Sequence, residues 1–264
     1  MLTIFKKCFC FYFVFSFLSI VSFSSCEKDT SPVNNEMELI RQGEAWILST
    51  THFQLHGSDL DRSILPQIGG YLEDHYPKIT DDLQLENFSI ITVRFYPDFP
   101  SFRIAIGMPQ APDWVIGMAY TKSEIRMMSF NCPDLGAGYT FEYLLSCIAH
   151  EFTHCVTMQM NHPITRWLYE GVALYESGMF VNPGNLTYIR SGDFPTLSEL
   201  NSNWQTNTRI YEVGYVLIEF IVETWGMEVV RTLIMNGGNI SSALGITIES
   251  FEQLWYNFIQ NKYL

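Results

Sequence analysis

The residues with chemistry in their spacing are His150-Glu151-Phe152-Thr153-His154. On a helix, residues four apart project from one face, so both imidazoles can take adjacent corners of a single metal ion. Imidazole suits zinc, and a catalytic zinc site keeps one position open for water. Glu151 is turned aside from the ligand pair and can reach a metal-activated water as general base without ligating. Chance produces such a pentad in about one chain in a hundred of this length. Two core histidines beside a hydrogen-bonded Glu are the alternative. The surrounding Phe141–Met160 segment is apolar nearly all round, and a lone buried carboxylate there would cost several kcal/mol.

A third ligand is required. The metzincin extension needs Gly and then His on the two turns after His154, but Thr157 and Met160 stand there. His162 precedes Pro163 in a loop and reads as a surface residue. Downstream, Trp167-Leu168-Tyr169-Glu170-Gly171-Val172-Ala173 sets a carboxylate on a second helix in apolar surroundings, and two His plus such a Glu form a catalytic zinc set. His150, His154 and Glu170 are therefore the expected ligands of one Zn2+ per chain. Cys147, one turn before His150, reads as a small buried hydrophobe.

The elements that must position these groups follow from periodicity. Asp59–Tyr76 has a helical period despite Pro66 and Gly69-Gly70, and Phe88–Tyr96 is a β-branched and aromatic strand ended by Pro97. Trp114–Tyr120 and Glu124–Phe130 read as two more strands across a short polar turn. Phe141–Met160 is a long buried helix. Further helices are expected near 165–179, 209–224, 226–235 and 248–262, separated by Pro163, Pro183, Gly184 and Asn236-Gly237-Gly238. The class is α+β: a small mixed sheet in the N-terminal half, packed on the helix with the His pair, and a helical C-terminal half.

With 264 residues, 47% apolar and 16% charged, the chain can bury one large core, which excludes a disordered chain. A formal charge of −13 argues against nucleic acid as a partner. Lys6-Lys7, an apolar Phe-rich stretch and Ser24-Ser25 describe an export signal over residues 1–25, short for a membrane span. Its loss takes two lysines and no acid, leaving −15. Phe23-Ser24-Ser25-Cys26 resembles the lipobox of bacterial lipoproteins, with Phe23 in place of the usual aliphatic residue. The resemblance implies lipidation of Cys26, and residues 26–36 read as the lipidated Cys and a polar tether. Membrane contact is expected through that lipid alone, in the bacterial cell envelope at the outer membrane, on its periplasmic or cell-surface face. Cys132, Cys147 and Cys155 remain, too few for a disulfide scaffold.

His150-Glu151-x-x-His154 followed by Trp167-Leu168-x-Glu170-Gly171-x-Ala173 resembles the gluzincin metallopeptidases, in particular the peptidase MA-like branch. Phe102 through Trp114-Val115-Ile116-Gly117-Met118-Ala119, and Tyr211 through Tyr215 and Phe220 to Trp225-Gly226, are similar to the flanks of its zinc site. The resemblance covers about residues 60–235 and implies a zincin-like domain over 37–264. It also implies zinc on His150, His154 and Glu170, with Glu151 as base and then proton donor in hydrolysis of a peptide or protein substrate. The oxyanion needs a donor besides zinc. Tyr211 and Tyr215, four apart on one helix face, are the candidates, with core packing as the alternative for each. By analogy Glu124–Phe130 is the edge strand that receives an extended peptide.

The chain departs from the pattern in several places. Only 15 residues separate His154 from Glu170, and Leu174 stands where thermolysin-like members carry an Asp that orients a histidine. Asp134, Glu176 or a backbone carbonyl are the substitutes available. A Gly-x-Met-Glu-Asn exopeptidase signature is absent, which leans toward an endopeptidase. The competing reading is a catalytically silent, lipid-anchored binding or scaffold protein on the same fold.

Overall fold

The computed structural model describes residues 37–85, 88–203 and 207–264, all within one compact unit, Asn35–Leu264. The export signal, Cys26 and the tether fall outside the described residues.

Alternation of apolar and polar side chains builds the sheet. β1 (Glu38–Gln42), β2 (Ala45–Ser49) and β3 (Phe53–Gly57) form an antiparallel meander. Phe53 and Leu55 of β3 turn inward on a period of two. β4 (Ile91–Tyr96) does the same with Ile91, Val93 and Phe95, and pairs parallel to β3. The crossover between them is α1 (Leu65–Asp82). This helix begins later than Asp59 because Pro66 sits in its first turn, where the missing N–H costs nothing, and starts the helix rather than interrupting it. Asp61, in the preceding turn, is buried and accepts from Ser58 N–H at 2.9 Å and Ser129 Oγ–H at 2.5 Å, tying that turn to the far end of the sheet.

α2 (Phe99–Ala105), capped by Asp98, leads to the hairpin of β5 (Gly117–Thr121) and β6 (Glu124–Met128). β6 pairs parallel with β4 and antiparallel with β5, giving the order β1-β2-β3-β4-β6-β5. Glu124–Phe130 is therefore not the edge. Ile125, Met127 and Met128 are buried, so β6 takes an interior place, and its hairpin partner β5 becomes the free edge.

α3 (Phe141–Met160) spans the expected residues, capped by Thr140, and lies across the sheet beside α1. Its Phe152 packs among Phe53, Tyr76 and Phe88, with ring centroids 5.1, 5.7 and 6.0 Å away. The C-terminal half is helical: α4 (Arg166–Glu176), a 3-10 turn (Pro183–Asn185), α5 (Thr187–Arg190), α6 (Leu197–Leu200), α7 (Ile210–Trp225), α8 (Met227–Met235), α9 (Ile240–Leu244) and α10 (Ile248–Tyr263). Among the described residues no helix is long and apolar enough to cross a membrane.

α4 and α7 form the most extensive helix pair, and two glycines set how closely they approach. A Cβ on Gly214 would stand 3.2 Å from Gly171 Cα and 2.8 Å from Leu174 Cδ1. A Gly214→Val substitution is expected to lower unfolding stability in urea by about 1–3 kcal/mol through overpacking. Unchanged stability would mean that the helices separate without cost.

Candidate metal centre

α3 and α4 bring together the three residues that spacing selects. His150 Nε2 lies 3.3 Å and His154 Nε2 3.5 Å from one oxygen, Glu170 Oε2. The three ligand atoms fall within 4.8 Å of one another, and among the described residues this is the group of histidines and acids that could hold a metal ion. The imidazoles are buried, and the Glu170 side chain is 13% exposed. Burial alone would push the Glu170 carboxyl up, but hydrogen bonds from His150 and His154 override it and hold the group well below the usual carboxylate range. Burial works to lower the His150 pKa, and the Glu170 carboxylate overrides that to raise it. An ionised carboxylate facing two imidazoles is the donor set that a divalent ion would use.

The Nδ1 atoms of both histidines are buried with no hydrogen-bond partner among the described residues. Asp134 is exposed in the loop before α3, and Glu176 is bound elsewhere, to Lys78, so neither orients the imidazoles. His154 is instead held by Tyr169, whose ring stacks on it at 3.8 Å and 14°. The sequence reading missed Tyr169. Its one signal is its place next to Glu170, which turns it to the same helix end.

Glu151 rests against the free edge of the sheet. Ala119 N–H donates to Oε2 at 2.7 Å, and a Cβ on Gly117 would lie 3.1 Å from both Cγ and Oε1. β5 thus aims the carboxylate: one oxygen is tied to the strand, and the close approach needs glycine at 117. Tyr211, in the first turn of α7, donates to Glu170 Oε1 at 3.4 Å. Burial first and the Glu170 charge second push its hydroxyl well up, so it keeps its proton and remains a donor. The Arg166 guanidinium stands 5.6 Å from its ring centroid. Tyr215 goes elsewhere. It packs on Phe180 at 5.2 Å and Tyr175 at 5.2 Å and lines a separate cavity of about 340 Å³ with Lys78 and Glu176.

The three candidate ligands, Glu151 and Tyr211 all line one open cleft of about 890 Å³, between β5 on one side and α3, α4 and the segment 178–181 on the other. His162 is exposed on its rim. Cys147 also lines it, packed as a small apolar residue, with its thiol pushed up to about 12 by burial and then by the Glu151 charge. Cys132, Cys147 and Cys155 are all free thiols.

Glu176 offers a pH test. Its side chain is fully buried beside Lys78, and burial outweighs that cation to push its pKa up to about 7, from an ordinary 4.5. Between those values the folded chain binds more protons than the unfolded one, so this residue makes stability fall as pH rises through that window. Glu176→Gln should flatten the fall, read as the difference in urea midpoint from wild type at pH 5 and pH 8. The same slope in both proteins would refute it.

No family model matches the chain and no curated protein matches it, so its function is to be read from the chemistry of this cleft.

Proposed function

We propose that the chain is a zinc-dependent peptidase of the gluzincin type on a zincin-like fold, exported and held to an envelope membrane by lipid on Cys26. The observation that carries the reading is the meeting of His150 Nε2 and His154 Nε2 on Glu170 Oε2 at 3.3 and 3.5 Å, with Glu151 on the adjoining wall. Ligands about 2.0–2.1 Å from a tetrahedral ion are separated by about 3.4 Å, the spacing these atoms already have. In both imidazoles it is Nε2 that faces the carboxylate, the orientation that binding through Nε2 requires.

Zinc in such a set supplies Lewis acidity, polarising a carbonyl and bringing the pKa of a water to about 7. The protein's own groups do the rest. Glu151 takes a proton from the attacking water on its carboxylate and passes it to the leaving amine nitrogen as the C–N bond breaks. Its bond to Ala119 N–H keeps the second oxygen from turning away. Tyr211 Oη, protonated and 3.4 Å from Glu170 Oε1, stands where it can donate to an oxyanion as negative charge develops. β5, as the edge strand, offers an extended peptide the outward backbone groups that Glu151 does not take.

Purified chain should carry about one zinc ion by elemental analysis, and Glu170→Ala should retain far less. Glu151→Gln should keep the zinc and lose turnover by about 10²–10⁴-fold. Tyr211→Phe should keep the zinc and lose about 10²–10³-fold in kcat. A Glu151→Gln protein that cuts as fast as wild type would overturn the mechanism. A wild type that binds zinc and cuts no peptide would favour the binding-protein reading. Gly117→Ala, which crowds Glu151, should also lower kcat at unchanged zinc content, and full activity would show that β5 does not aim the base.

A further inference from the structure

We infer that the cleft takes an internal, apolar stretch of an extended polypeptide, and that neither a chain terminus nor a charged side chain is recognised there. The inference rests on the peptidase reading, and the lining of the cleft is what carries it. Among the described residues, the only acidic or basic side chains apart from the histidines are Glu151 and Glu170, both already assigned. Among the described residues no Lys, Arg or Asp contributes. A peptidase that reads a free α-carboxylate needs a cation to receive it, and one that reads a free α-ammonium needs a spare carboxylate, because an unpaired charge desolvated in a cleft is costly. Among the described residues neither partner lines the cleft.

What the walls offer instead is apolar. Trp114 and Phe180, 43% and 45% exposed, both line the cleft and give it a contiguous apolar surface together with its aliphatic walls. Four methionines, Met108, Met118, Met158 and Met179, also line it. Methionine is unbranched and polarizable, so such walls conform to side chains of differing shape. The lining therefore selects a class, apolar residues in general, rather than one residue. The backbone edge of β5 supplies the sequence-independent part of the grip. The volume, about 890 Å³, suits several residues rather than a single side chain.

The test separates binding from cutting. Zinc-loaded Glu151→Gln protein is titrated against dye-labelled, end-blocked decapeptides with Leu-Leu, Asp-Asp or Lys-Lys at the centre, read by fluorescence anisotropy. The Leu-Leu peptide should bind at least about tenfold more tightly than either charged one. A version with a free terminus beside the Leu pair should gain nothing. Met158→Glu or Met179→Glu on the same background, with unchanged circular dichroism, should weaken Leu-Leu and strengthen Lys-Lys binding. Equal or tighter binding of a charged peptide, or a tenfold gain from a free terminus, overturns the inference. Should wild-type protein leave the bound Leu-Leu peptide uncut, the peptidase reading fails, while the anisotropy series still decides what the cleft accepts.

Discussion

A carboxylate placed where water barely reaches must be met by positive charge or by strong donors, and Glu170 is met by two imidazoles one helical turn apart. Much of the architecture follows from that requirement. α3 must present His150 and His154 on one face while Phe152, on another, is locked among Phe53, Tyr76 and Phe88 above the sheet. α4 must return close enough for Glu170 to reach both rings. α7 must lie close against α4, through Gly171 and Gly214, for Tyr211 to reach the same carboxylate. A metal ion at this point would bind groups that the fold has already drawn together, so little reorganisation would be needed.

The sheet does a second job. Its free edge, β5, is both a wall of the cleft and the support of Glu151, through the Ala119 N–H and the space left by Gly117. Strand pairing and the placement of the base are thus one constraint. A shift of β5 by one residue would put the opposite set of side chains toward the cleft and move Ala119 N–H off the carboxylate. The bulge between Ala119 and Thr121 marks the end of the regular register there.

Local signals were legible where a pattern runs long enough to repeat. The twenty residues of α3, the His pair and Glu170 could be read from spacing, as could α4, α7, α8 and α10 to within a few residues. β1, β2 and β3 went unread because five-residue strands leave too few alternations to stand out. α2, α5, α6 and α9 are at most seven residues and show no helical period. The helical period read over Asp59–Tyr76 runs through Pro66, whereas the proline marks the first turn and α1 spans Leu65–Asp82.

The sequence by itself determined which side chains could share a metal ion, since residues four apart on one helix share a face whatever the helix packs against. It also determined the order of long elements and the apolar character of α3. Only the tertiary structure decided that β5 rather than β6 is the edge, that Tyr211 and not Tyr215 reaches Glu170, and that Ala119 holds Glu151. Those are choices between equivalent local patterns. Two adjoining strands look alike in sequence, and two tyrosines four apart lie on one face of α7. The crossing of α7 over α4 alone sets which of them stands level with the carboxylate, and such contacts across more than thirty residues leave no periodic trace in the chain.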